Sequence, residues 1–303
     1  MRLDLTTLQL FVAVLETGSI AAAAQREHIA ASALSKRIAE LERAAGVPLL
    51  SRHARGVEPT AAGQSLARGA RVMLRQAADL SAQMQDYAYG VRGHVRLFAN
   101  LSSITQFLPD ELKTFLARHP GVRLDLEERV SSVVTRAVAE SEADIGIFAL
   151  SDEREGLAVH PYHEDEMALL VPAGHPLARR RTVGFLQTLA YEHVGMHRGS
   201  AASFLLHRQA NAANLEWRVR FHATSYDALV SLVRAGLGIG VLPLRSLDLY
   251  RRDGVKVVRL SDPWARRRLS VCVRAEGPLS SAAKLLLEHL LASAQAAQRP
   301  PQH

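Results

Sequence analysis

With 303 residues, 48% of them hydrophobic and 22% charged, the chain can bury two or three cores and is neither disordered nor fibrous in composition. No apolar run approaches the ~20 residues a bilayer span needs, and Met1-Arg2-Leu3-Asp4 lacks the apolar core of a signal peptide, so a cytoplasmic protein with no membrane partner is expected. The net charge of +7 points to an anionic partner, but residues 1–58 hold seven Lys or Arg against six Asp or Glu, so the excess lies mostly further on.

Leu8, Phe11, Val12 and Leu15 recur at helical spacing and predict a first amphipathic helix, ended by Gly18. Ser19 is placed to cap a second helix over Ile20 to Gln25, whose four alanines, Ala21 to Ala24, permit close packing. After a turn at His28 to Ala31, a third helix is expected over Ser32 to Ala45, with Leu34, Ile38 and Leu41 facing inward and Gly46 as its stop. Ser32, Ser35, Lys36 and Arg37 fall in its first turns, where a recognition helix meets base edges and phosphates. Val47 to Leu50 read as a strand, Arg52, His53, Arg55 and Gly56 as a basic turn, and Val57 to Pro59 as the return strand. Such a wing could lay Arg52 and Arg55 on a phosphate backbone. An ordinary helical subdomain is the bland alternative, but three helices followed at once by a basic hairpin is the more specific order.

Thr60 can cap a proline-free helix running to about Tyr89. Leu66, Ala70, Met73, Ala77, Leu80, Met84 and Tyr87 alternate steps of four and three, a heptad seam that suits pairing with a twin as well as packing on a core. From residue 90 the texture becomes α/β with an expectation of parallel strands. Strands are expected at Val95 to Ala99, Val122 to Glu127, Ala143 to Phe148, Val159 to Tyr162 and Met167 to Pro172, with helices at Gln106 to Arg118 and Ser132 to Ala139. Helices near Val183 to Leu189, Ser200 to Ala213 and Ser225 to Ala235 then alternate with strands at His193 to Met196, Val219 to Ala223, before Pro243 and at Val255 to Leu260. A late strand at Leu269 to Val273, a closing helix at Ser280 to Ala294 and a frayed tail after Arg299 complete the pattern. Two lobes joined by two crossings, near 162 to 169 and 265 to 270, would be a periplasmic-binding-protein-like arrangement. Lobe 1 then takes about 90–163 plus 268–303 and lobe 2 about 164–267.

Gly18-Ser19-Ile20, Ala23-Ala24, Leu34-Ser35, Ile38, Leu41-Glu42, Gly46-Val47-Pro48-Leu49-Leu50, Arg52 and Thr60-Ala61-Ala62-Gly63 resemble the N-terminal signature of the LysR-type transcriptional regulators. Leu108-Pro109, Phe115, His119-Pro120, Glu142 to Ile147, His175-Pro176-Leu177 and Val233 to Pro243 extend the resemblance over nearly the whole chain. It implies a winged helix-turn-helix DNA-binding domain at 1–59, a linker or dimerisation helix at 60–89, and an effector-binding domain at 90–303. The implied partners are double-stranded promoter DNA, a small-molecule effector between the lobes, a second or further copies of the chain as homodimer or homotetramer, and RNA polymerase. Ala30 and Ala31 depart from the family's polar residues at the start of the third helix, as do Glu27 and Leu50 elsewhere. A family contact from Gln to the bases therefore does not transfer, and Ser32 is left as the expected helix cap.

Ligands of open α/β sheets sit beyond the carboxyl ends of strands, at helix N-termini. That rule selects Asn100, Ser102 and Ser103, then Ser131 and Ser132, in one lobe, and His197, Ser200, Ser203, Thr224 and Ser225 in the other. The set is rich in hydroxyl groups and suits a small organic anion, although each residue could equally be a plain N-cap. No catalytic arrangement, cofactor or metal site is expected. Gly236-Leu237-Gly238-Ile239-Gly240 follows a helix and opens a strand, the wrong context for a dinucleotide loop. His193 and His197 lie too far apart along a strand to share a metal. Arg179 to Arg181 and Arg266 to Arg268 read as solvated basic runs that could meet on the second lobe, and Cys272 as a buried structural thiol. An enzyme on the α/β region, or a cytosolic small-molecule-binding protein, remains the alternative function. The second leaves the winged unit unexplained.

Overall fold

A computed structural model describes residues 3–53, 56–89, 93–149, 155–251 and 253–298. Its contacts fall into two compact units, Met1–Gly93 with Glu140–Glu142, and His94–Ala139 with Ala143–His303.

In the first unit, α1 (Leu5–Thr17) starts at Asp4, whose carboxylate accepts the Thr7 N–H, and stops at Gly18, which takes the left-handed conformation (φ 65°) that glycine adopts without a Cβ penalty. Ser19 caps α2 (Ile20–Arg26), as its chemistry predicts. Helix α3 (Ala31–Ala45) begins one residue earlier than the sequence suggests. Its N-cap is Ala30, with no side-chain hydrogen bond, so Ser32 lies inside the first turn and does not cap the helix. A positive φ at His28 turns the chain between α2 and α3. Leu34, Ile38 and Leu41 drive into a core with Phe11, Val14, Ala23, Ala24 and Leu49.

The wing forms from β1 (Leu50–His53) and β2 (Gly56–Pro59), antiparallel with Leu50 opposite Pro59. Pairing thus begins at Leu50, not Val47, and puts Arg52 in a strand instead of the turn. The Glu42 carboxylate accepts the N–H groups of Leu49 (2.8 Å) and Leu50 (3.0 Å), and the Gly18 carbonyl accepts that of Val57 (2.9 Å). The wing is thereby fixed to both helix ends. Thr60 caps α4 (Ala61–Tyr89) through the Gly63 N–H, and a Cβ at Gly63 would overlap the Leu49 carbonyl.

The second unit contains a sheet in the order β4-β3-β5-β12-β6-β10-β8-β9, with β11 paired to β6 and β7. The first lobe brings together β3 (Gly93–Ala99), α5 (Leu101–Gln106), α6 (Leu108–Arg118), β4 (Val122–Glu128), α7 (Ser131–Ala139) and β5 (Ile145–Ala149). The helix expected over Gln106 to Arg118 is α6, starting two residues later, and α5 before it was not expected. Helix α5 starts right after Asn100, and the chain breaks at Phe107 (φ −131°), two residues before Pro109, the residue that cannot continue a helix from upstream. Strand β6 (Leu157–Pro172) then runs unbroken where two strands were expected. The other lobe holds β7 (Thr182–Val183), α8 (Phe185–Thr188), β8 (His193–Met196), α9 (Ala201–Ala212), β9 (Val219–Ala223), α10 (Tyr226–Arg234), β10 (Ile239–Pro243) and β11 (Val255–Leu260). Strand β12 (Arg266–Arg274) returns alongside β6, and α11 (Ser281–Gln298) closes on the first lobe's core. The tail after Arg299 lies outside the described residues.

The sheet is mixed. Pairs β3–β5, β8–β9 and β8–β10 are parallel, whereas β12 runs antiparallel to both β5 and β6. Strands β6 and β12 are the two crossings between lobes. Their register slips between Arg268 and Ser270, opposite the stretch that contains Pro161, a residue with no N–H to give the ladder. Cys272 is sealed in the first lobe, where burial pushes its thiol up to about 12.

Candidate DNA-binding and effector sites

On α3 the residues opposite the buried stripe are open. Ala30, Ala31, Ser32, Ala33, Lys36 and Arg37 are exposed and Ser35 is half-buried. Arg37 is not wholly free, because its guanidinium donates to Thr7 Oγ1 (3.1 Å) and lies 3.9 Å from Asp4. Arg52 is in β1, with its side chain outside the described residues, and Arg55 lies outside them altogether.

Along α4 the predicted seam divides. Leu66 and Ala70 pack within the chain, Leu66 on the helical core and Ala70 on Leu8 and Val12. Leu66 is thereby half-buried within its own chain. Beyond it Met73, Leu80 and Met84 are 40%, 58% and 56% exposed. Tyr87 is in the helix, but its side chain is outside the described residues.

Between the lobes of the second unit lies a cavity of about 310 Å³. Of the predicted residues, Asn100, Ser102, Ser131, His197 and Ser200 line it. The others do not. Ser103 is buried and donates to the Asn100 carboxamide oxygen (2.7 Å), and Ser203 is buried and donates to the Met196 carbonyl (2.6 Å). Ser132 and Thr224 are exposed and, with Ser225, lie off the wall. Asn100 and Ser200 also serve as the caps of α5 and α9.

The strongest group in the cavity belongs to a run whose composition suggests a solvated face. Arg267 is 4% exposed and forms part of the wall. Its Nε donates to Asp165 Oδ1 (2.8 Å), and Nη2 donates to the other oxygen of that carboxylate and to Ser102 Oγ (3.2 Å). Burial works against its charge, but the facing carboxylate outweighs it and raises the guanidinium pKa above its ordinary value. Asp165 and Arg267 sit directly opposite each other on β6 and β12. Period-two alternation would have found Arg267, since Ala265, Arg267, Leu269, Val271 and Val273 are all buried while Arg266 and Arg268 are exposed. Tyr226 OH, 3.0 Å from Ser102 Oγ, joins the lobes here, and burial pushes its phenol up to about 12. Further contacts join them, among them Thr105 Oγ1 to Ser246 Oγ at 3.0 Å and the Arg245 guanidinium over the Phe107 ring. His193 is buried away from His197, and no group of three metal-ligating side chains occurs among the described residues. No described helix is long and apolar enough to cross a membrane.

Comparison with known proteins adds a family. The lysR-family model of bacterial regulatory helix-turn-helix proteins matches residues 5–64, and the LysR substrate binding domain model matches residues 88–295. The chain is 31% identical over 242 residues to the "Probable HTH-type transcriptional regulator LrrA" of Synechococcus elongatus, covering 80% of this chain and 81% of that protein. It is 27% identical to the uncharacterized HTH-type transcriptional regulator YbhD of Escherichia coli, covering 94% and 90%. Among solved structures, its fold is similar to full-length CbnR complexed with its target DNA (TM-score 0.69, 23% identity, 96% of this chain and 100% of that one). It is also similar to a full-length OxyR variant from Pseudomonas aeruginosa (TM-score 0.75, 20% identity, 99% and 100%). A winged three-helix unit, a two-lobed α/β unit and matches to both family models therefore establish that the chain belongs to the LysR family of DNA-binding transcriptional regulators and is not an enzyme.

Proposed function

We propose that the protein binds a promoter as a dimer or tetramer in the cytoplasm and changes its grip when a small organic molecule fills the cavity between its lobes. Residues 1–59 bind DNA, 60–89 link and dimerise, and 90–303 sense the effector. Ser32, Ser35, Lys36 and Arg37 face base edges and phosphates, and Arg52 and Arg55 hold the backbone. The effector meets Ser102, Ser131, His197 and Ser200, and differential affinity for two lobe arrangements is what reaches the DNA and RNA polymerase. The observation that carries the reading is the open first turn of α3, on a helix packed against α1 and α2 whose Glu42, near its other end, fixes the wing. Met73, Leu80 and Met84, large and exposed on one helix, support pairing through α4. The solved relative CbnR is described as complexed with its target DNA, and the CcmR regulatory domain as in complex with 2-PG, which agrees with both halves of the proposal.

An electrophoretic shift with the DNA upstream of the protein's own coding region tests it. A specific complex is expected at moderate salt, weakened roughly tenfold or more by Lys36→Ala, with a salt slope lower by about one. Absence of any specific complex, or a Lys36→Ala protein that binds like the wild type, overturns the assignment of α3.

A further inference from the structure

We infer that the cavity takes a compact monocarboxylate with an apolar body, and that Arg267 is the residue that selects it. This rests on the cleft being the effector site. Asp165 and Ser102 use Nε and Nη2 of Arg267, and Nη1 makes no hydrogen bond among the described residues. Nor is Nη1 among the side-chain atoms sealed from solvent without a partner. A nine-tenths-buried guanidinium on a cavity wall thus keeps one nitrogen, with two N–H groups, for a ligand. A carboxylate matches that geometry and is a charge-assisted acceptor. The N-terminal turn of α9 reaches the same cavity through Ala201 and Ala202, so backbone N–H groups and the helix dipole favour the same sign of charge.

The surrounding charges limit the ligand to one anionic group. Asp165 already balances Arg267, and the Glu128 carboxylate at the rim repels a second anion. The remaining cation, Arg129, is tied to Glu127 and to the Glu128 carbonyl. Leu101, Val130, Val133 and Met196 supply apolar wall for the body of the ligand, beside the hydroxyl and imidazole groups of Ser131, Ser200 and His197. The volume of about 310 Å³ equals roughly ten waters of liquid, enough for one ring or a short branched chain.

Titration calorimetry on the full-length protein separates the outcomes, with benzoate and 3-methylbutanoate as monoanions, benzamide as the neutral isostere, and phthalate and inorganic phosphate as further anions. Saturable binding of at least one monocarboxylate is expected, with benzamide and the multiply charged probes weaker on the order of tenfold or more. Arg267→Lys keeps a cation opposite Asp165 but loses the spare nitrogen, and should cost ten- to a hundredfold, on the order expected for a charged hydrogen bond. Asp165→Asn removes the balancing charge and should shift preference towards phthalate. The idea is overturned if no monocarboxylate binds, if benzamide or phthalate binds as well as benzoate, or if Arg267→Lys binds unchanged. Ala201→Phe, which fills the cavity, tells the two failures apart. A neutral probe that binds and is lost in Ala201→Phe leaves the cleft as the effector site and removes only the anchor, whereas monocarboxylate binding that survives Ala201→Phe removes the cleft as well.

Discussion

Single side chains carry more of this molecule's behaviour than their count suggests. His193 is fully buried, with its ring nitrogens 3.1 Å from Thr188 Oγ1 and from the Tyr191 carbonyl oxygen, and burial lowers its pKa to about 4. The unfolded chain therefore takes up a proton near 6.5 that the folded chain refuses until about 4. The stability from neutral His193 is complete above pH 6.5 and is lost as pH falls from there towards 4, by at most about 3 kcal/mol. Urea unfolding at about pH 7 and about pH 4.5 should show a smaller pH-dependent drop in His193→Gln than in the wild type. Equal drops would mean that the histidine is not held neutral. Arg267 teaches the opposite lesson about charge in the interior, since it stays ionised because Asp165 faces it across the ladder. Its inward direction was present in the alternation of β12, hidden only by two exposed arginines on either side.

At the level of elements, helix caps and glycine stops were the most legible features, because a cap is a local hydrogen bond between neighbours in sequence. Ser19, Thr60, Ser200 and Ser225 all cap where their positions suggest. Ala30 breaks that rule, and α3 still starts there because tertiary burial of Leu34 and Ile38 outweighs one missing cap. The α4 seam was half legible. Its heptad spacing is real, but spacing cannot say which turns are already used by the chain's own first helix. The exposed part leads to a prediction for the element. Leu80→Glu with Met84→Glu should give a monomer by light scattering and lower operator affinity together, since linked half-sites lose their effective concentration on dissociation. Retention of the wild-type mass would place the pairing surface elsewhere. Gly63→Ala offers no such clean test, because it would drive α4 into the wing through the Leu49 carbonyl.

On the scale of the whole effector unit, two strands and a few side chains hold the lobes. Strands β6 and β12 cross together, with a register slip beside Pro161, and the Ser102–Tyr226, Thr105–Ser246 and Arg245–Phe107 contacts bridge the lobes around α5. Ala201 also packs on the first lobe's core and Leu101 on the second's, so a lobe movement would have to break these contacts together. Combining Thr105→Ala with Tyr226→Phe should therefore speed amide hydrogen exchange across Leu101–Gln106 while leaving α3 unchanged. Unaltered exchange in α5 would show that the ladder of β6 and β12 alone holds the lobes.

Sequence alone determined the order of elements and most strand and helix positions, because periodicity and caps are written between residues close in the chain, and its motifs carried the resemblance to the LysR family. It also placed five of the cavity residues, Asn100, Ser102, Ser131, His197 and Ser200, since the carboxyl ends of strands are legible once the strands are. Tertiary structure alone decided which hydroxyl groups are free to face a ligand and which are consumed inside the fold, as Ser103 and Ser203 are. It alone brought Asp165 to Arg267, about a hundred residues away in sequence and directly across a ladder. Side-chain partners at that separation depend on strand register, and register depends on packing both cores at once.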